Sequence, residues 1–164
     1  MGTFFDRRFF FSFSEVNPLK NNSIFAVNID CMQRSYLKNK SEFLEASADL
    51  LHNKNLYPGV AHAAYYSCFQ LMKNIYLFVM GKSEQDLDSG VIQSSFGVHE
   101  FILKEVASFI QVKDSEASRL LRNKMPQLKK YRVKADYKNE EFDFDDSNKS
   151  ILLSKEILKI LKKY

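Results

Sequence analysis

The stretch from Pro58 to Met80 constrains the fold more than any other part of the chain. Its apolar residues recur with helical spacing on one face and cover much of the remaining surface, and Gly81 follows as a helix stop. A helix that is apolar nearly all round is buried on several sides. We therefore expect this helix at the centre of a helical bundle, or between the bundle and a second subunit.

Amphipathic helical patterns also flank this central stretch. We predict a first helix over residues 32–52, a third from Val98, a fourth capped at Asp114 and kinked by Pro126, and a last helix over residues 146–163. The polar segment 83–95 is predicted to be a loop. Five glycines and three prolines are too few for the turns of an all-β fold, so we predict an all-α, up-and-down bundle of four to five helices.

The domain organisation follows from a contrast between the two ends of the chain. The length of 164 residues suits one domain. Residues 1–30 are rich in Phe and fit an N-terminal arm or hairpin, whereas residues 31–164 carry the helical patterns. We therefore predict an arm over residues 1–30 packed on a helical bundle over residues 31–164.

Charge and cysteine content narrow the function classes. The formal charge is +4, which permits an acidic partner such as RNA without requiring one. Cys31 and Cys68 lie far apart and form no disulfide framework, which is typical of reduced thiols in a cytoplasmic protein. We find no apolar stretch of the roughly 18–20 residues that a membrane span needs. We expect a cytoplasmic protein with no membrane contact.

Arg132 is the most informative single residue. It falls on the apolar stripe of the fourth predicted helix, at the spacing of Leu121, Met125 and Leu128, where an unpaired cation is unfavourable. Asp136, four residues later, is within reach. Two interpretations stay open: a structural ion pair at the edge of the core, or a cation held in a cleft for a phosphate or another anionic partner.

Other groups that could perform chemistry are few. His99 lies beside the apolar stripe of the third predicted helix, which fits a hydrogen-bonded boundary residue or an acid–base group with a partner. The acidic segment 140–146 fits the N-terminus of the last helix. The sequence lacks a cluster of His and Cys and a glycine-rich phosphate loop, so we expect no metal and no cofactor.

Two short segments give the chain a resemblance to a known family. Residues 61–69 read AHAAYYSCF and residues 132–137 read RVKADY. Together with the surrounding helices, they resemble the AYYxxF and RxxADY segments of HEPN domains, over roughly residues 32–163. The resemblance implies a bundle of four or five helices, usually a homodimer. Family members often work beside a nucleotidyltransferase, and many act on or bind RNA in toxin–antitoxin and defence settings.

The chain departs from the family's ribonuclease motif. Members that cut RNA carry an arginine and, four to six residues later, a histidine, but here Asp136 and Tyr137 follow Arg132 at that spacing. Without that imidazole, one proton-transfer group for the ribose hydroxyl is missing. The candidates for ligand binding are Tyr65, Tyr66, His99, Arg132, Asp136 and Tyr137.

Three functions remain open from the sequence. The preferred one is a non-catalytic HEPN-like dimer that binds a nucleotide, RNA or a nucleotidyltransferase-type partner. The second is a metal-independent ribonuclease with a non-standard site built from His99, Arg132 and Tyr137. The third is a purely structural partner subunit. A site is argued from its groups and not from its fold, so the structure must show which of these residues meet.

Overall fold

The structure is a computed structural model that describes the backbone of residues 22–164 and the side chains of residues 36–164. Residues 1–21, which hold most of the predicted Phe-rich arm, lie outside the described residues. Six α-helices follow one another: α1 (Asn22–Asn53), α2 (Tyr57–Asn74), α3 (Glu84–Ser94), α4 (Val98–Gln111), α5 (Ser115–Tyr137) and α6 (Phe144–Leu161). Residues 22–164 contain no strand, which confirms the all-α prediction.

Helix α2 lies at the centre of the bundle, as its apolar pattern predicts. It packs against α1, α4, α5 and α6. Val60, Cys68 and Met72 are fully buried, and burying an aliphatic side chain of this size stabilises a fold by about 1.5–3 kcal/mol. A π-helical stretch, Ile75–Val79, continues α2, and Gly81 with φ of 68° then ends it in the left-handed region. No helix within residues 22–164 is long and apolar enough to cross a membrane.

Helix α1 begins at Asn22, earlier than the start near residue 32 that its pattern predicts, and it takes in residues 22–30. It runs antiparallel to α2, because Ser41 lies beside Ser67 while Leu51 lies beside Gly59. The Ser41 hydroxyl donates to the carbonyl oxygen of Ser67 at 2.8 Å. Small side chains at these positions allow the two helices to approach closely.

The prediction of a loop over residues 83–95 is wrong, because helix α3 occupies most of this segment. Ser83 caps α3: its hydroxyl accepts from the Asp86 amide, and the Asp86 carboxylate accepts from the Ser83 amide. Leu87 anchors this mostly polar helix in the core. At Gly90, a Cβ atom would lie 2.2 Å from the Phe101 ring, so glycine allows α3 to pack on α4. Residues 22–164 therefore form six helices, where four to five were expected.

An aspartate caps each of the last two helices, and the cap at Asp114 is the one predicted from the sequence. Asp114 caps α5 by accepting from the Ala117 amide at 2.9 Å, and α5 continues through Pro126 as one helix. Asp143 caps α6 by accepting from the Asp146 amide at 2.9 Å. The acidic segment 140–146 thus places carboxylates at the positive end of the α6 dipole.

Candidate ligand-binding cleft

Arg132 and Asp136 form a partly buried ion pair near the C-terminus of α5. Nε of Arg132 lies 2.7 Å from Oδ2 of Asp136, and the two side chains are 15% and 19% exposed. The Nε–H group is not aimed at an acceptor within residues 36–164, so the contact is ionic rather than a directed hydrogen bond. The i,i+4 pairing predicted from the sequence is present, and it neutralises the cation on the apolar stripe.

Two tyrosines complete the surroundings of this guanidinium. Nη2 of Arg132 donates to the Tyr66 hydroxyl at 3.0 Å and to the Tyr137 hydroxyl at 2.9 Å. The guanidinium carbon lies 5.4 Å from the Tyr66 ring centre and 4.8 Å from that of Tyr137. Burial lowers the pKa of Arg132, but Tyr66, Asp136 and Tyr137 raise that pKa by more, so the side chain stays charged. Arg132 is thus committed to partners within its own chain.

His62 joins the same group, although its sequence context gave no reason to single it out. Its Nδ1 atom lies 3.1 Å from Oδ2 of Asp136, the oxygen that also meets Arg132. Its ring packs on the Tyr66 ring in a tilted arrangement, with ring centroids 4.6 Å apart. The i,i+4 spacing of His62 and Tyr66 was the available signal, but the contact with Asp136 requires the packing of α2 on α5. We call His62, Tyr66, Arg132, Asp136 and Tyr137 the Arg132 cluster.

His99 lies at the first turn of α4 and bonds to a neighbouring residue of α2. Its Nδ1 atom is 2.8 Å from the Tyr65 hydroxyl. Burial raises the pKa of Tyr65 to about 12, so the phenol keeps its proton and donates it to Nδ1 when the imidazole is neutral. The His99 ring also stacks on Phe69 with centroids 4.0 Å apart. These contacts fix the position of the imidazole.

The charge state of His99 follows from the same surroundings. Burial lowers its pKa, and the nearby cations Lys129 and Arg132 lower it further. The ring is therefore neutral at physiological pH. One nitrogen is engaged by Tyr65, which leaves only Nε2 for a ligand.

A cleft opens beside His99, between α4 and α5. Its volume is about 430 Å³, which is within the usual range for small-molecule sites. Tyr65 and His99 contribute to its lining, together with the apolar side chains of Leu103, Met125 and Pro126. The cleft therefore combines apolar walls with the fixed Tyr65–His99 pair.

Three cations also line the cleft: Lys104 from α4, and Arg122 and Lys129 from α5. Lys104 pairs with Glu100 at 3.1 Å. Arg122 and Lys129 have no carboxylate partner within residues 36–164. The Arg122 guanidinium instead donates to the Ser108 hydroxyl at 3.0 Å and, more weakly, to Gln111 at 3.4 Å, so it is positioned by neutral groups and keeps its full charge.

The six candidate residues from the sequence are thus divided between two neighbouring places. Tyr66, Arg132, Asp136 and Tyr137 lie in the Arg132 cluster, whereas Tyr65 and His99 line the cleft. The catalytic trio considered from the sequence does not meet in one open site, because neither Arg132 nor Tyr137 is among the described residues that line the cleft with His99.

Lys104, Arg122 and Lys129 went unnoticed in the sequence. Each is an unremarkable surface cation on its own helix, and no spacing rule links residue 104 to residues 122 and 129. The antiparallel packing of α4 on α5 brings them to one cleft.

Residues 36–164 contain no group of His, Cys, Asp and Glu side chains that could hold a metal ion. The Cys68 thiol is buried, lies 3.7 Å from the carbonyl oxygen of Ser154, and has a pKa raised by burial to about 12, so it is not a thiolate. Comparisons of the chain with protein-family models, with curated proteins and with solved structures find no match.

Proposed function

We propose that this chain is a non-catalytic, HEPN-like module that binds the phosphate groups of a nucleotide or RNA in the cleft between α4 and α5. The observation that supports this most is that Arg122 and Lys129, which have no carboxylate partner among residues 36–164, line one cleft. Guanidinium and ammonium groups bind phosphate through charge-assisted hydrogen bonds. A base or sugar would contact the apolar walls while the phosphates meet the cations.

The resemblance to HEPN proteins supports the same ligand class. It suggests a role with RNA or nucleotides, and Tyr65, within the segment 61–69 that helps to carry it, lines the cleft. The ligand site we propose is not the Arg132 cluster, because that guanidinium already binds one carboxylate and two phenols.

The geometry also supports a binding role over catalysis. Cleavage of RNA through the 2′-hydroxyl needs a base and an acid on opposite sides of the phosphate. His99 offers a single free nitrogen, and Tyr137, a weak base near neutral pH, does not line the cleft. The cleft can hold a phosphate without a pair of groups to move its protons.

The test is a titration of labelled single-stranded RNA followed by fluorescence polarisation. We expect the double variant Arg122→Gln, Lys129→Gln to weaken binding about tenfold or more, because two charged phosphate contacts are lost. The slope of log affinity against log salt should fall by about 1.4, since each phosphate contact on a single strand contributes about 0.7.

The matched control is the double variant Lys149→Gln, Lys159→Gln on exposed positions of α6. It removes the same charge away from the cleft and should change affinity less than threefold. Equal losses in both double variants, or no binding by the wild type to RNA or to a nucleotide, would contradict the proposal.

A second arm tests for catalysis. The wild type is incubated with the same RNA in EDTA, and the products are separated by size. We expect intact RNA. Cleavage that His99→Ala abolishes would replace the binding proposal with the ribonuclease alternative.

A further inference from the structure

The two cleft cations that have no carboxylate partner within residues 36–164 lie at opposite ends of the cleft. Arg122 is held at one end, where its Nη2 atom donates to the Ser108 hydroxyl. Burial and then nearby Lys129 lower the pKa of His99, which places Lys129 at the other end. Ser108 and His99 are nine residues apart on α4, which is about 13 Å along the helix. The two positive charges are therefore well separated.

Helix α5 gives a separation of the same size. Arg122 and Lys129 are seven residues apart, so they lie on one face of α5 and about 10 Å apart along its axis. The Arg122 guanidinium reaches towards the C-terminal part of α4, because it also donates to Gln111 at 3.4 Å. This direction leads away from Lys129 and widens the gap between the two charged groups.

Apolar side chains fill the wall between the two ends. Met125 and Pro126 stand between the two cations on α5, and Leu103 stands between His99 and Ser108 on α4. All three apolar residues line the cleft. These side chains offer a phosphate no hydrogen-bond donor, whereas a sugar or a base loses unfavourable contact with water when it packs on them. The cleft thus presents a cation, an apolar wall and a second cation in that order.

Lys104 does not add a third charge of this kind. Its ammonium lies 3.1 Å from Oε1 of Glu100 and 3.1 Å from the ring centre of Phe96. Glu100 also lines the cleft, so its carboxylate offsets this cation inside the cleft. The positive charge that no carboxylate within residues 36–164 offsets therefore lies at the two ends.

The end that holds Lys129 also offers a neutral hydrogen-bond donor. The Tyr65 hydroxyl donates to Nδ1 of His99, so the neutral imidazole carries its proton on Nε2. An ammonium and an N–H group together suit one phosphate group, and the Arg122 guanidinium suits another. Each end of the cleft is therefore equipped for its own phosphate.

We propose that the cleft binds one nucleoside unit with a phosphate on each side, as in a nucleoside 3′,5′-bisphosphate or an internal nucleotide of an RNA strand. One phosphate contacts Arg122, the other contacts Lys129 and His99, and the nucleoside packs on the apolar wall between them. This inference rests on the proposed function and narrows its ligand.

The same arrangement disfavours a nucleoside diphosphate. Its two phosphates share one bridging oxygen, so they either crowd at one end or place a charged group against the apolar wall. The phosphates of a 3′,5′-bisphosphate are separated by the sugar, which suits that wall. The spacing of phosphates, rather than their number, should decide the affinity.

The test is direct titration of the full-length chain by calorimetry with adenosine 3′,5′-bisphosphate, ADP and ATP. The bisphosphate and ADP are isomers, and ATP supplies additional charge on adjacent phosphates. The matching uridine series is measured as well, so that a preference for one base does not decide the result. We expect the bisphosphate of at least one series to bind about tenfold more tightly than the diphosphate and triphosphate, because it alone gains a charged contact at each end.

Single variants test the two ends separately. Arg122→Gln and Lys129→Gln should each remove the advantage of the bisphosphate, whereas the affinity for ADP should fall less because ADP can use the other end. The matched control is Lys149→Gln on an exposed position of α6, which should keep the advantage. Circular dichroism should show all three variants folded.

Equal affinity for bisphosphate and diphosphate in both series would overturn this inference and leave the proposed function in place. An advantage that survives Arg122→Gln, or that Lys149→Gln also removes, would overturn it too. Binding of RNA without binding of either bisphosphate would do the same, because the ligand would then need more than one nucleoside unit. No binding of RNA or of any nucleotide would instead contradict the proposed function.

The two sources of such a unit are distinguished by titration with a single-stranded RNA oligonucleotide. Tighter binding of the RNA than of the free bisphosphate would assign the cleft to an internal nucleotide of a strand. Tighter binding of the free bisphosphate would assign it to a free nucleotide. In both cases the phosphates occupy the two ends of the cleft.

Discussion

Helix α5 carries two arginines in opposite situations. Arg132 is 15% exposed and binds a carboxylate and two tyrosine hydroxyls, whereas Arg122 is exposed and donates only to neutral side chains within residues 36–164. The first has its charge paired and its Nη2 group bonded inside the fold. The second has no carboxylate beside it within residues 36–164. Position on an apolar stripe, which drew attention to Arg132, therefore indicates a structural cation better than a binding one.

The largest effect on stability is expected at Arg132. Arg132→Ala should lower the free energy of unfolding by about 1–3 kcal/mol, because partly buried Asp136 would keep His62 as its one partner within residues 36–164. Denaturant melts measure this loss. The control is Arg119→Ala on the same helix, whose pair with Glu116 is well exposed and should contribute much less. A loss below about 0.5 kcal/mol at Arg132 would show that the pair is not structural.

Substitution of the two tyrosines that bond to Arg132 should also affect stability unequally. Tyr66→Phe should cost about 1–2 kcal/mol, since a partly buried guanidinium loses a hydrogen-bond acceptor. Tyr137 is 67% exposed, so water can replace its hydroxyl and Tyr137→Phe should cost less. Thermal melts of both variants measure the two losses of stability. A larger loss for Tyr137→Phe would mean that the exposed side of the Arg132 cluster holds the arginine.

The surroundings of His99, which lines the cleft, predict that the stability of the fold depends on pH. Because burial and the cations Lys129 and Arg132 lower its pKa in the folded state, the unfolded chain takes up the proton first as the pH falls. Stability from this residue is therefore complete above the unfolded pKa of about 6.5 and declines as the pH falls from there towards the folded pKa.

The measurement compares the free energy of unfolding of the wild type and His99→Gln at neutral and mildly acidic pH. The wild type should lose more stability than the variant on acidification. The comparison cancels every contribution to the pH dependence that the two proteins share. Equal losses would show that His99 titrates alike in the folded and unfolded states.

The smallest effect is expected at Arg122. Arg122→Gln should change the free energy of unfolding by no more than about 0.5 kcal/mol, because the side chain is exposed and makes only neutral contacts within residues 36–164. Denaturant melts alongside Arg132→Ala give the contrast. A large loss would place Arg122 among the structural residues and weaken the proposed cleft.

The sequence predicted those parts of the fold that depend on local patterns. The central place of α2, the cap at Asp114 and the helix stop at Gly81 follow from periodicity and backbone preferences of neighbouring residues. Helix α3 was missed because only two of its apolar residues, Leu87 and Val91, pack on the core, and two residues one turn apart give little periodicity. Its signal was the capping box of Ser83 and Asp86, which outweighs the polarity of the segment.

The candidate site was predicted in part for a different reason. The pair of Arg132 and Asp136 lies one helical turn apart, so spacing was enough to find it. The contacts of His62 with Asp136 and of Tyr65 with His99 join different helices. The cations of the cleft likewise come together only when α4 packs on α5. Sequence spacing carries no information about such contacts between helices.

The most direct test of the central claim is the RNA affinity of two single variants, Arg122→Gln and Arg132→Gln, measured side by side. Both are titrated at a temperature at which circular dichroism shows them folded, so that stability does not enter the result. We predict that Arg122→Gln weakens RNA binding about fivefold to tenfold, as expected for the loss of one charged contact. Arg132→Gln should change the affinity less than threefold. A loss of affinity confined to Arg132→Gln would contradict the account and place the ligand at the Arg132 cluster.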